Sequence, residues 1–150
     1  MKALIIGGGI AGLTAAIAMR QRNIEVLVLE QAARPTEIGA GIQIAANGSK
    51  VLRALGIEQA VANCAVIPEA MENRDMLTGN LVWRIPLGRE AAALWGAPLY
   101  NIHRADLIEL LAKAVPDGCV EFGVRSPVSS RMKKRSASGP RTGAPMRPIS

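Results

Sequence analysis

MKALIIGGGIAGLTAAIAMRQRNIEVLVLE, residues Met1 to Glu30, is the stretch whose reading decides the fold. The apolar run Ala3–Ile6 predicts a strand, and the glycines Gly7, Gly8 and Gly9 interrupt it. Gly12 completes the pattern G-x-G-x-x-G. Ile10, Leu13, Ile17 and Ala18 recur at helical spacing, so Ile10–Arg22 predicts a helix. Glu25–Leu29 predicts a second strand, ending at the acid Glu30, 18 residues after Gly12. Strand, tight turn, helix, strand and terminal carboxylate form the arrangement that holds the ADP half of a dinucleotide.

Each residue type in the loop has a physical task. Gly7 can take backbone angles closed to other residues and turn the chain out of the strand. Gly9 lacks a side chain, which lets a pyrophosphate approach the backbone, and Gly12 allows the helix to sit close to the strand. The helix N-terminus offers unpaired N–H groups and partial positive charge. Glu30 can accept hydrogen bonds from both ribose hydroxyls and would repel a 2′-phosphate, which argues against NADP here. Lys2, the apolar run and Ala16-Ile17-Ala18 also suit a signal peptide. Three glycines within the run and a single leading cation oppose that reading.

Charge is distributed unevenly. The whole chain carries +6, but residues 1–124 hold 11 Lys+Arg against 12 Asp+Glu, whereas residues 125–150 hold seven cations and no acid. That tail, RSPVSSRMKKRSASGPRTGAPMRPIS, is rich in Ser, Pro and Arg, has no aromatic and has almost nothing to bury. Disorder is its physical expectation, leaving one folded domain over 1–124. Seven cations can attract phosphate backbones. Without interleaved aromatics or helical periodicity, solvated disorder is preferred and no specific nucleic-acid partner is expected. No glycine-free apolar run is long enough to span a bilayer, so no membrane role is expected. Cys64 and Cys119 have no partner motif and read as buried free thiols of a reducing cytoplasm. A single histidine, His103, cannot supply a His-rich metal site.

Further along, residues 31–48 read as loop. A helix is expected at Ser49–Leu55, capped by Asn47 or Ser49 and stopped by Gly56. A short helix at Ile57–Asn63 follows. Ala70–Leu77 and Leu81–Ile85 flank Thr78-Gly79-Asn80 and predict a β-hairpin. Leu107, Leu110, Leu111 and Ala114 share one face of a helix expected over Asp106–Val115, ended by Pro116-Asp117-Gly118. Cys119–Val124 reads as a third core strand.

Three stretches carry a family resemblance: the Gly7–Gly12 loop with Glu30; Glu37-Ile38-Gly39-Ala40-Gly41-Ile42-Gln43 with Asn47-Gly48 and Leu55-Gly56-Ile57; and His103-Arg104-Ala105-Asp106-Leu107. In order and spacing the chain resembles the N-terminal part of FAD-dependent aromatic-ring monooxygenases of the salicylate, 3-hydroxybenzoate and urate hydroxylase group. The resemblance implies an α/β, Rossmann-like FAD-binding fold of the p-hydroxybenzoate hydroxylase type. It implies FAD as cofactor, NADH or NADPH as co-substrate and a small aromatic substrate. It also implies cofactor contacts at Gly7, Gly9, Ala11, Gly12, Glu30, Gln31, Ile42, Gln43 and Arg104. The small residues Gly39-Ala40-Gly41 can lie against a flat ring without steric conflict. Arg104 brings a fixed cationic fork suited to pyrophosphate oxygens.

No residue is identified as catalytic. Asp106 reads as a helix N-terminal charge, His103 as structural, and Trp83 and Trp95 as core or interface. The resemblance breaks at Ser126-Pro127, and motifs that the family carries further on are absent. An acid-free Arg/Ser/Pro/Gly/Ala tail is what a reading-frame shift near Arg125 would produce, with a genuine alternative tail the second explanation. An NAD-dependent dehydrogenase built on the same unit is the competing enzyme class. Glu30 permits it, and the Glu37–Gln43 and Arg104 motifs argue against it.

Overall fold

The computed structural model describes residues 1–33 and 40–125. Twelve elements follow one another: β1 (Lys2–Ile6), α1 (Ile10–Arg20), β2 (Glu25–Glu30), β3 (Gly41–Ile44), α2 (Ala46–Ala54), α3 (Glu58–Ala62), β4 (Ala70–Arg74), β5 (Leu81–Pro86), α4 (Arg89–Trp95), β6 (Tyr100–His103), α5 (Arg104–Ala114) and β7 (Val120–Phe122). β1, β2 and β7 form a parallel sheet in that order, with Leu4 opposite Leu27 and Val28 opposite Val120. This is the Rossmann-like α/β arrangement expected from residues 1–30.

α1 lies between that sheet and α5. Leu13 and Ala16 are fully buried, and they join Val26 and Val28 of β2 with Leu107, Ile108 and Leu111 of α5. The helical spacing of Leu13, Ala16 and Ile17 puts all three on one face, so one amphipathic helix joins two layers. The far layer adds Leu52, Leu55, Ile57 and Val61 from α2, α3 and their connection, and Tyr100 and Ile102 from β6. Arg53 donates from Nε and Nη2 to the Glu58 carboxylate and from Nη1 to the Gly96 carbonyl at 3.2 Å, joining α2, α3 and the end of α4.

Several expectations are corrected. Residues 41–44 are a strand, not loop: β3 pairs antiparallel with β6, Ile42 opposite Ile102 and Gln43 opposite Asn101. Its partner lies almost sixty residues away, which local pattern does not show. α2 begins at Ala46 after Ala45, without a side-chain cap; Asn47 and Ser49 lie inside the helix. Gly56, at φ +79°, ends it as expected. β4 stops at Arg74 rather than Leu77, because Asp75 Oδ1 accepts from the Leu77 and Thr78 N–H groups and starts the turn early. α1 ends at Arg20, two residues before the expected Arg22. α5 starts two residues early, at Arg104, and α4 and β6 had no sequence expectation.

Neither cysteine is buried: both are free thiols, Cys64 exposed and Cys119 half-buried. Trp83 and Trp95 are 41% and 42% exposed, so neither is a core residue. Among the described residues, β1 pairs with β2 alone, and its Leu4 and Ile6 are 60% and 43% exposed. The expected disorder of the tail, and the loop residues Glu37, Ile38 and Gly39, lie outside the described residues.

Truncating Leu13 removes atoms from the contact between both layers. Leu13→Ala is expected to lower the free energy of unfolding by about 2–5 kcal/mol, measured by urea denaturation.

Candidate functional site

The C-terminal end of β1 opens into a cavity of about 700 Å³, within the range usual for small-molecule sites. Ile6, Gly7, Gly9, Ile10, Ala11, Gly12 and Thr14 form one side. Ile42 and Ile44 of β3, Gly48, Val51 and Leu52 of α2, and Arg104 and Leu107 of α5 form the other. The walls are mostly aliphatic, and Arg104 is the one charged lining residue among those described. Its backbone N–H donates to the Ala40 carbonyl at 3.3 Å, tying the start of α5 to the residue before β3.

The glycines of the loop differ in what they do. Gly7 has φ +104°, a conformation that other residues rarely adopt, and nothing stands near its missing side chain. Gly7 is therefore required by backbone angle. A Cβ on Gly12 would collide with the Gly7 carbonyl oxygen and come within 3.3 Å of Ile5 Cγ2. Gly12 is required by packing. Gly9 has φ −78°, and a Cβ there would meet no protein atom within 4 Å. Its side chain would instead extend into open space beside a cavity it lines. That is the space a pyrophosphate would need to approach the backbone, so the loop fits a dinucleotide on geometry of its own. Gly9 also caps α1, which has neither a side-chain cap nor an acid in its first turn. The positive end of the helix is thus left to a ligand anion.

Of the sequence-derived contacts, the structure brings Gly7, Gly9, Ala11, Gly12, Ile42 and Arg104 to one cavity. Glu30 stands behind the loop: its Oε2 accepts from the Gly8 N–H at 2.6 Å and its Oε1 from the Ala32 N–H at 2.8 Å. Gln31 is exposed and lies outside the lining. Gln43 also lies outside it, since strand alternation places it on the face opposite Ile42 and Ile44. Its Nε2 donates to Asn101 Oδ1 at 3.3 Å. Asp106 lies in the first turn of α5, where its charge complements the helix, and His103 is the residue preceding it. As cofactor contacts, sequence reading missed Ile6, Ile10, Thr14, Ile44, Gly48, Val51, Leu52 and Leu107. Gly48, Val51 and Leu52 carry a signal, the i, i+3, i+4 face of one helix, but reading residues 31–48 as loop hid where that helix begins. Among the described residues, no helix is long and apolar enough to cross a membrane and no group of His, Cys, Asp or Glu could hold a metal ion.

The fold and loop define a Rossmann-like dinucleotide-binding unit, and the NAD(P)-binding Rossmann-like domain family matches residues 5–46. Over a longer span, the chain matches the N-terminal part of FAD-dependent aromatic-ring monooxygenases. It is 42% identical over 119 residues to 3-amino-4-hydroxybenzoate 2-monooxygenase of Streptomyces cremeus, covering 79% of this chain and 30% of that protein. It is 44% identical over 120 residues to 3-hydroxybenzoate 6-hydroxylase of Polaromonas naphthalenivorans, with coverage of 79% and 30%. Klebsiella pneumoniae HpxO, crystallised with FAD and uric acid, superposes with a TM-score of 0.74 at 30% identity, over 83% of this chain and 31% of that one. The chain therefore spans about 30% of the length of the relatives it matches.

Gly12→Ala forces α1 away from the Gly7 carbonyl and misplaces the loop. Expected is a lowered melting temperature together with at least tenfold weaker ADP binding, on the order of the 1–3 kcal/mol of an overpacked site, measured by thermal denaturation and calorimetric titration.

Proposed function

We propose that this chain forms the ADP-binding half, and part of the flavin-binding half, of the FAD site of an NAD(P)H-dependent aromatic-ring monooxygenase. The observation that carries the proposal is the single cavity shared by the glycine loop, the uncapped N-terminus of α1, the β3–α2 wall and Arg104. Bound FAD supplies the redox chemistry, taking reducing equivalents from NADH or NADPH and activating O2 for insertion of one oxygen atom into a small aromatic such as a hydroxybenzoate.

The chain's own residues bind and orient. The leading N–H groups of α1 receive the pyrophosphate, and Gly9 lets it approach. Glu30 accepts the adenosine ribose hydroxyls. Arg104 offers a charged donor to pyrophosphate or ribityl oxygens. Ile42, Ile44 and Val51 give an aliphatic wall that excludes water from one side of the cofactor. Ala11 packs beside the phosphates, while Gln31 and Gln43, outside the lining, are given no contact with the cofactor. Among the described lining residues, nothing besides Arg104 is ionisable, so no proton-transferring side chain is assigned. Two free thiols accord with a reducing compartment such as the cytoplasm.

Titration of the 150-residue chain with FAD tests this reading. Expected is a yellow complex that survives gel filtration, and an Arg104→Ala variant that binds about tenfold more weakly, as loss of a charged hydrogen bond predicts. Binding of NADH with no uptake of FAD would favour the dehydrogenase class instead.

With FAD and NADH or NADPH supplied, the chain alone is expected to show little or no aromatic-dependent oxygen uptake. An oxygen electrode with 3-hydroxybenzoate as substrate measures this, and sustained turnover would contradict it.

A further inference from the structure

Gly8 is the one loop glycine that neither backbone angle nor the cavity explains. It is buried, its φ lies outside the left-handed region, and it is not a lining residue. What surrounds it is Glu30. A Cβ on Gly8 would stand 3.0 Å from Glu30 Cβ, 3.2 Å from Cγ and 3.3 Å from Oε2. Cβ is fixed by the backbone of β2, while Cγ and the carboxylate turn about χ1, so a side chain at Gly8 presses on a stem that can give way only by turning the carboxylate.

That carboxylate is held from several sides. Gly8 donates to one oxygen at 2.6 Å and Ala32 to the other at 2.8 Å. The main chain beneath it is fixed as well, because Gly7 donates to the Leu29 carbonyl at 2.8 Å and Val124 to the Glu30 carbonyl at 2.9 Å. A carboxylate has about four acceptor directions, so each oxygen keeps capacity for one further donor. Two fixed oxygens, each with an open acceptor direction, match two adjacent hydroxyls.

We propose that Gly8 is a positioning residue: with the Ala32 N–H, it sets the Glu30 carboxylate to receive the vicinal diol of a nucleoside diphosphate. This rests on the dinucleotide site proposed above and adds to it a specificity device within the loop. Gly9 and Gly8 then divide the ligand between them. Gly9 admits the pyrophosphate, and Gly8 presents the acceptor that reads the ribose. Preorganised acceptors discriminate well because the ligand does not have to order them on binding.

Two measurements on the full 150-residue chain test the pairing. In the ligand-free protein, the Gly8 amide proton should be protected from solvent exchange by NMR, and Glu30→Ala should abolish that protection. Calorimetric titration then compares ADP with 2′,3′-dideoxy-ADP. Gly8→Ala is expected to weaken ADP about tenfold, the scale of one charged hydrogen bond, while changing dideoxy-ADP less than about twofold. Gly9→Ala should weaken both equally. An unprotected Gly8 amide, or a Gly8→Ala variant that loses both ligands alike, overturns the pairing and leaves the dinucleotide site standing. A parent chain that binds neither nucleotide overturns the dinucleotide site and this role together.

Discussion

The close approach of α1 to the end of β1 is the constraint on which the other features rest. It is possible because Gly7 takes a left-handed backbone angle and Gly12 presents no Cβ to the Gly7 carbonyl. With the helix that close, Leu13, Ala16 and Ile17 reach Val26 and Val28 on one side and α5 on the other. The same approach directs the uncapped N-terminus of α1 into the cavity. Packing and an uncapped helix N-terminus thus follow from one arrangement of glycines: the loop that lets the core close also leaves the backbone donors without a side-chain partner.

The second wall of the site has a different origin. β3 and β6 are four residues each and pair with one another. Their pairing places Ile42 and Ile44 across from the loop and brings Arg104, immediately after β6, to the cavity rim. The Arg104 N–H bonded to the Ala40 carbonyl secures that corner. The one charged lining residue among those described is therefore positioned by a ribbon and not by the Rossmann unit itself. Ile42 and Arg104, some sixty residues apart in the chain, thereby line one cavity.

Much of this was legible from residue order. Gly7 to Glu30 states its own element order, because turn, helix and strand lie within thirty residues and each is set by local spacing. The α5 face at Leu107, Leu110 and Leu111 was legible for the same reason. β3, β6 and α4 were not. Gly41–Ile44 is four residues with Gly at its start, too short for alternation to stand out from loop. Asp75 shortened β4 through side-chain bonds to its own turn, a local competitor that hydrophobic pattern does not register. Size pointed Trp83 and Trp95 to core or interface, and their exposure removes the core alternative.

The glycine loop makes the division clear. Sequence by itself determined that a strand, a tight turn and a helix meet at Gly7–Gly12, and that an acid stands at the end of the next strand. Those are consequences of backbone permissiveness and of spacing, which residue identity carries directly. Tertiary structure decided why each glycine is there. Gly7 answers to a dihedral angle, Gly12 to a carbonyl oxygen, Gly9 to empty space, and Gly8 to a carboxylate 22 residues away. A missing side chain looks the same at all four positions in sequence. What differs is the neighbour it makes room for, and neighbours distant along the chain exist only once it has folded.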